Sequence, residues 1–360
     1  MQSGRPVIIV IGAGIVGASI TYHLARQQAR VTLLDKAASP AGEATGQSFA
    51  WLTGGHPAPA AYLRLRQQAI ADWHRVENEL KGRLMIEWPG ALTWRANEAE
   101  TFRVAQELHR LGYLVQVLDK HQIHLLEPLL KNVPAAAMFA QDEGAIDPTR
   151  ATQTFIEAAR EAGASIQLGN EVLALTTSGG HLAGVVTAQS RLAADVVVLA
   201  AGTGAAALCQ PLGLRLPIEA SPAVLVRLHS PRQFVRHIVS SPLLELRAAP
   251  HGAVFAAADY IEDAAEHSAQ AIGQRTLAAI KAHWAGIEQL MLVAGSVGRR
   301  PLPQDGWPVI GRAAPLGNLY LAVMHAGVTL AAVAGRLAAT ELLGETEHPF
   351  LAAYRPGRFG

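Results

Sequence analysis

Five apolar residues follow one another near the start of the chain, Val7-Ile8-Ile9-Val10-Ile11, and the run then breaks into Gly12-Ala13-Gly14-Ile15-Val16-Gly17. The unbroken apolar stretch predicts a buried strand, and the pattern after it predicts a helix reaching to about residue 29. A second apolar run, Val31-Thr32-Leu33-Leu34, predicts another strand and ends in Asp35. Helical spacing then covers 58–80. A strand carrying an internal Pro89-Gly90 turn is predicted over 84–94, and helices over 98–111 and 120–126. Asp147 is placed to cap a helix whose first position is Pro148 and which runs to about 162. Short strands are predicted at 165–168, 172–176 and 182–188. The run over 194–202 is continuous rather than alternating, which suits a strand covered on both faces of a parallel sheet. From 217 to 255 the chain is β-rich with frequent Pro and Ser, and 268–285 reads as an amphipathic helix. The last part is loop-like over 299–311, a strand over 318–324 and a helix over 327–343, so the chain closes on a second strand-glycine-helix junction.

This order predicts an α/β protein. A Rossmann-type dinucleotide domain would be assembled from 1–83, 144–216 and 296–360. It would be interleaved with a smaller substrate domain, 84–143 and 217–295, built on a mainly antiparallel sheet.

Composition narrows the function. The chain has 360 residues, half of them hydrophobic, with a formal net charge of +1. That length suits about two domains, and without basic runs nothing points to nucleic acid or to an acidic membrane surface. Cys209 is the only cysteine, so no intramolecular disulfide or cysteine-based metal site is expected, and a reducing, cytoplasmic setting fits. The first apolar run is too short and too directly joined to the glycine loop to read as a signal peptide, and no run of about 20 apolar residues reads as a membrane span.

The chemistry begins at the glycines. Gly12 would turn the chain sharply off the strand, Gly14 would let the backbone approach a pyrophosphate, and Gly17 would let the helix lie close to the sheet. The amides opening that helix, around Ile15 and Val16, would face the phosphates. Asp35, with Lys36 beside it, falls at the spacing of the acid that accepts hydrogen bonds from a ribose hydroxyl.

Together with Gly42-Glu43-Ala44-Thr45-Gly46-Gln47-Ser48, Gly144-Ala145-Ile146-Asp147-Pro148, Asp195 to Gly202, Arg300-Pro301, Asp305 to Gly311 and His325-Ala326-Gly327-Val328-Thr329, the pattern resembles the D-amino-acid oxidase superfamily of flavoenzymes, glycine oxidase- and sarcosine oxidase-like. The resemblance covers most of the chain. It implies non-covalent FAD as the bound dinucleotide, since no cysteine stands at the flavin-linking position. It places Thr45, Gly46, Gln47 and Ser48 along the pyrophosphate and ribityl chain and the backbone of Val172 at the adenine. Ala201 and Gly202 close the cofactor site, and Gly327, Val328 and Thr329 form the start of a helix aimed at the flavin pyrimidine.

The same resemblance makes Arg300 the clamp for a substrate carboxylate, a task suited to a planar guanidinium fork. Glu245 and Tyr260 are further substrate-contact candidates, with Trp51 a weaker pocket aromatic. His56 and His325 are candidate proton acceptors because imidazole titrates near neutrality. The implied reaction is oxidation of the carbon-nitrogen bond of an amino acid or N-alkyl amino acid by hydride transfer to flavin N5. The imine then hydrolyses, and oxygen or another acceptor takes the electrons. Two alternatives share the fold: an FAD-dependent 2-hydroxy-acid dehydrogenase, and a flavin-carrying subunit of a multi-subunit dehydrogenase. Either a homo-oligomer or a complex subunit is compatible with the chain.

Overall fold

The computed structural model describes residues 5–55, 58–259, 268–344 and 346–359. Its first sheet has six strands in the order Val309–Arg312, Leu319–Val323, Val196–Leu199, Val7–Ile11, Arg30–Asp35, Ser165–Leu168. All neighbours are parallel except the first pair. The helices Ile15–Arg26, Pro148–Glu161 and Gly327–Gly344 supply the core on one face, where Ile8 and Val10 are buried. Ile9 and Ile11 point the other way, into a cluster shared with Val172, Leu182 and Val185 of a three-stranded antiparallel sheet. That is why the strand is apolar at every position: it has no solvent face.

The second sheet has eight strands in the order Met291–Pro303, Ile218–His229, Ala253–Asp259, Glu245–Ala248, Ile238–Ser240, Ala91–Thr93, Ala136–Ala140, Gln116–Asp119. It is antiparallel except where Ile238–Ser240 meets Ala91–Thr93. The helix Ala269–His283 contributes Ile272 and Ile280 to its core. The fold class is thus the α/β architecture the sequence predicts, a Rossmann-type sheet with a mainly antiparallel second sheet.

Two local expectations fail. Residues 299–303, expected in a loop, continue the strand Met291–Pro303, because Ile218–His229 pairs along nearly its whole length, including Ser221 with Arg300. Pairing with a long neighbour outweighs a Gly-, Arg- and Pro-rich composition here. The border drawn between 295 and 296 therefore falls inside one strand of the second sheet. Likewise only Ala91–Thr93 of 84–94 is a strand, since Gly90 turns the chain with φ +79° and Glu87 bridges instead to Ala145.

The helix Gly327–Gly344 is long and apolar enough to cross a membrane by length and composition, although no such run was expected; 72% of it is buried inside the fold, as a core helix would be. The sequence explains this by its small residues. A Cβ added at Gly335 would sit 2.2 Å from Ser19 Oγ and 2.8 Å from His23 Cδ2, so this helix crosses Ile15–Arg26 at close range.

Candidate active site

A cavity of about 1040 Å³ runs from the glycine loop to the second sheet. At one end the strand Val7–Ile11 delivers Gly12 in a left-handed conformation, φ +108°, where a Cβ would lie 2.5 Å from the Ala200 carbonyl oxygen. The Gly12 amide donates to the Leu34 carbonyl (2.8 Å). Gly17 lies beneath the loop rather than on the cavity wall; a Cβ there would fall 2.0 Å from the Gly12 carbonyl oxygen. Gly14, Ile15 and Val16 line the cavity, and the Ile15 amide donates to Thr45 Oγ1 (3.2 Å). The helix Ile15–Arg26 has no N-cap side chain, so apart from the Ile15 amide its opening turn at the cavity is uncapped.

Asp35 and Lys36 also line this end. The Asp35 carboxylate braces the loop as well as facing the space: Oδ2 accepts from the Ala13 amide (2.6 Å) and Oδ1 from the Ala37 amide (2.8 Å). The exposed Lys36 pairs with Glu43 (3.4 Å). Thr45, Gln47 and Ser48 line the middle, whereas Gly46 turns inward toward Ala41. Val172 borders the cavity on one side, and Ala201 with Gly202 follows from the strand Val196–Leu199.

Gly327, Val328 and Thr329 open the last helix onto the far part of the cavity. Thr329 Oγ1 donates to the Trp51 carbonyl (2.9 Å), tying that helix end to the loop after Ser48. His325 lines the cavity just before it, and its carbonyl oxygen accepts from the Tyr62 hydroxyl (3.4 Å). Arg300 and Glu245 reach the same cavity from the second sheet. The Arg300 guanidinium is held by Ser221 Oγ on Nη2 (2.9 Å), with longer contacts to the Ser221 and Pro222 carbonyls, while Nη1 donates to no described residue. Glu245 accepts from Ser240 Oγ (3.5 Å). His56 and Tyr260 lie outside the described residues.

Several residues of this region were not singled out from sequence. Arg227, on the strand Ile218–His229, donates to Ser296 Oγ (2.5 Å), the Gly46 carbonyl (2.8 Å) and Gln47 Oε1 (3.2 Å). The buried Glu143 gathers four donors on Oε1: Thr53 Oγ1, the amides of Gly54 and Gly55, and the Tyr113 hydroxyl, at 2.7–3.0 Å. Burial pushes its carboxyl up; Tyr113, Gly55, Thr53 and the charge of Arg66 pull it down but only in part. Arg66 and Tyr62 line the cavity from the helix Ala60–Glu79. The signal for Arg66 was its place on the inward stripe Tyr62, Arg66, Ala69, Trp73, Val76, an arginine where the helix otherwise buries apolar groups.

A family model described as FAD dependent oxidoreductase matches residues 8–341. The chain belongs to that family. It is 26% identical over 348 residues to a glycine oxidase of Geobacillus kaustophilus, covering 92% of this chain and 91% of the relative. It is 25% identical over 394 residues to a D-amino acid dehydrogenase of Cereibacter sphaeroides, covering 92% and 90%. The crystal structure of glycine oxidase from Geobacillus kaustophilus superposes with a TM-score of 0.87 at 23% identity, covering 98% of both chains.

The protein is an FAD-dependent oxidoreductase, and its residues fit that cofactor. The glycine loop forms a cradle that side chains would fill, Asp35 lines the same end of the cavity, and the cavity extends from there to the last helix. Among the described residues, no group of three or more His, Cys, Asp or Glu could hold a metal ion.

Proposed function

We propose that the enzyme oxidises the carbon-nitrogen bond of an amino acid or N-alkyl amino acid, binding its carboxylate at Arg300. The observation that carries this is Arg300 itself: a guanidinium lining the cofactor cavity, anchored through Nε and Nη2 to the neighbouring strand, with Nη1 left for a ligand. An anchored fork loses little freedom when it takes a carboxylate. The relatives' names, glycine oxidase and D-amino acid dehydrogenase, support the substrate class.

The glycine loop, Asp35 and the Thr45–Ser48 segment would hold FAD without a covalent link, and bound FAD would supply a two-electron acceptor. The chain does the rest. Arg300 fixes the carboxylate and so turns the α-carbon toward the cofactor. The amides at Gly327–Thr329 open the last helix onto the cavity with the positive end of its dipole, where they would stabilise the negative charge that reduction builds on bound flavin. His325, beside them on the cavity wall, would accept the proton that the substrate ammonium loses before reaction.

The Arg300→Ala variant should keep FAD and raise KM for the best amino acid by about 10²-fold, the loss of one charge-assisted contact. Steady-state kinetics on FAD-loaded protein test this, and unchanged KM and kcat would remove Arg300 from the substrate site.

A further inference from the structure

Arg66 lies at the same cavity and is 7% exposed. Its Nε and Nη1 are buried and, among the described residues, have no hydrogen-bond partner. The guanidinium carbon stands 5.3 Å from the centre of the Tyr62 ring, the tyrosine whose hydroxyl reaches the His325 carbonyl. Glu143 feels the charge of Arg66, yet the two make no hydrogen bond, and Oε1 of that carboxylate is already occupied by Thr53, Gly54, Gly55 and Tyr113.

A buried guanidinium with idle donors is costly unless something compensates its charge. The face of the Tyr62 ring offsets only part of that cost. Arg66 nonetheless lines the cavity, so an anion bound there would neutralise the buried guanidinium charge. The cofactor phosphates already have the Gly12–Gly17 loop and its helix amides, which need no arginine. A substrate α-carboxylate already has Arg300. Arg66 suits a second anionic group.

We propose that Arg66 forms a distal anion subsite, so that the preferred substrate is an amino acid carrying a second carboxylate, either on its side chain or on its amine substituent. This rests on the amino-acid reading above and narrows its substrate class. Tyr62 holds the guanidinium plane in place, and the shape of the Thr53–Gly55 segment, fixed by Glu143, sets how far the second carboxylate can lie from the first.

Binding of unreactive anions tests this without turnover. FAD-loaded protein is titrated with acetate, propionate, malonate and succinate, following the shift of the visible flavin band, for wild type, Arg66→Met and Arg66→Lys. In wild type the better dicarboxylate should bind roughly tenfold or more tighter than the better monocarboxylate. In Arg66→Met that ratio should fall to about one with monocarboxylate affinity unchanged, and Arg66→Lys should recover part of it. A wild-type ratio near one overturns the proposal even if Arg66→Met fails to fold. A ratio that survives in Arg66→Met also overturns it. Loss of FAD from Arg66→Met in a protein with no dicarboxylate preference would assign the guanidinium to the cofactor instead. Whether any amino acid reduces the flavin is a separate readout, so failure of the amino-acid reading would show on its own.

Discussion

At the scale of single residues, the cofactor end of the site works through groups with two duties. Asp35 is at once the expected ribose acceptor and the brace for the Ala13 and Ala37 amides. The Asp35→Ala variant should therefore bind FAD about 10²-fold more weakly, from one lost ligand contact and a slackened loop. Titration of apoprotein with FAD would measure it, and an unchanged affinity would show that Asp35 serves neither purpose. This residue was legible because strand, glycines and acid sit at fixed offsets. Arg66, Arg227 and Glu143 carry no such spacing. Their roles depend on partners far away in sequence, as when Glu143 collects Thr53, Gly54, Gly55 and Tyr113, and a single sequence does not display those partners.

At the scale of elements, the packing of Ile15–Arg26 against Gly327–Gly344 makes stability depend on pH. His23 is buried in that contact, and burial first, then the charges of Arg75, Arg26 and Arg336, push its pKa down to about 3. An unfolded histidine titrates near 6.5, so the unfolded chain binds the extra proton between these values. Stability from this residue is complete above about pH 6.5 and drains away as pH falls toward 3, by up to roughly 1.4 kcal/mol per pH unit. Glu341 does not confuse the upper part of that window. Burial works to raise its carboxyl, but hydrogen bonds from Arg355, the His348 amide and Tyr320 hold it below the usual carboxylate value. Its share is therefore lost only at lower pH. In denaturant unfolding at pH 6.5 and pH 5, His23→Leu should show a much smaller loss of stability than wild type; equal losses would mean the imidazole is not the sensor. The helices themselves were legible from their spacing. The strand Met291–Pro303 was not, because what holds it extended is its ladder with Ile218–His229 rather than its own composition.

At the scale of the whole molecule, the two sheets are joined across the site by arginines of the second sheet that bond the loop after the second strand of the first. Arg227 takes the Gly46 carbonyl and Gln47, and the buried Arg247 takes the carbonyls of Phe49 (2.7 Å) and Ile146 (3.4 Å). Burial lowers the Arg247 pKa to about 10, still far above neutrality, so it stays charged. If this stapling holds the loop around the cofactor, Arg227→Met should release FAD about tenfold faster while the protein stays folded; an unchanged release rate, followed by flavin fluorescence, would confine Arg227 to the second sheet. The interleaved architecture was legible because its strand runs and helices alternate in the right order. The contacts between the sheets were not, since they join residues up to 249 positions apart, as in Ser296 and Gln47.

The central claim is that one cavity brings FAD and an amino acid together. Its most direct test is the visible absorption spectrum of the purified, FAD-loaded protein under anaerobic conditions, before and after addition of amino acids and N-alkyl glycines, acidic members included. A yellow flavin spectrum that bleaches with at least one of these compounds is the predicted result. A bound flavin that bleaches with none of them, or only with 2-hydroxy acids, would contradict the claim.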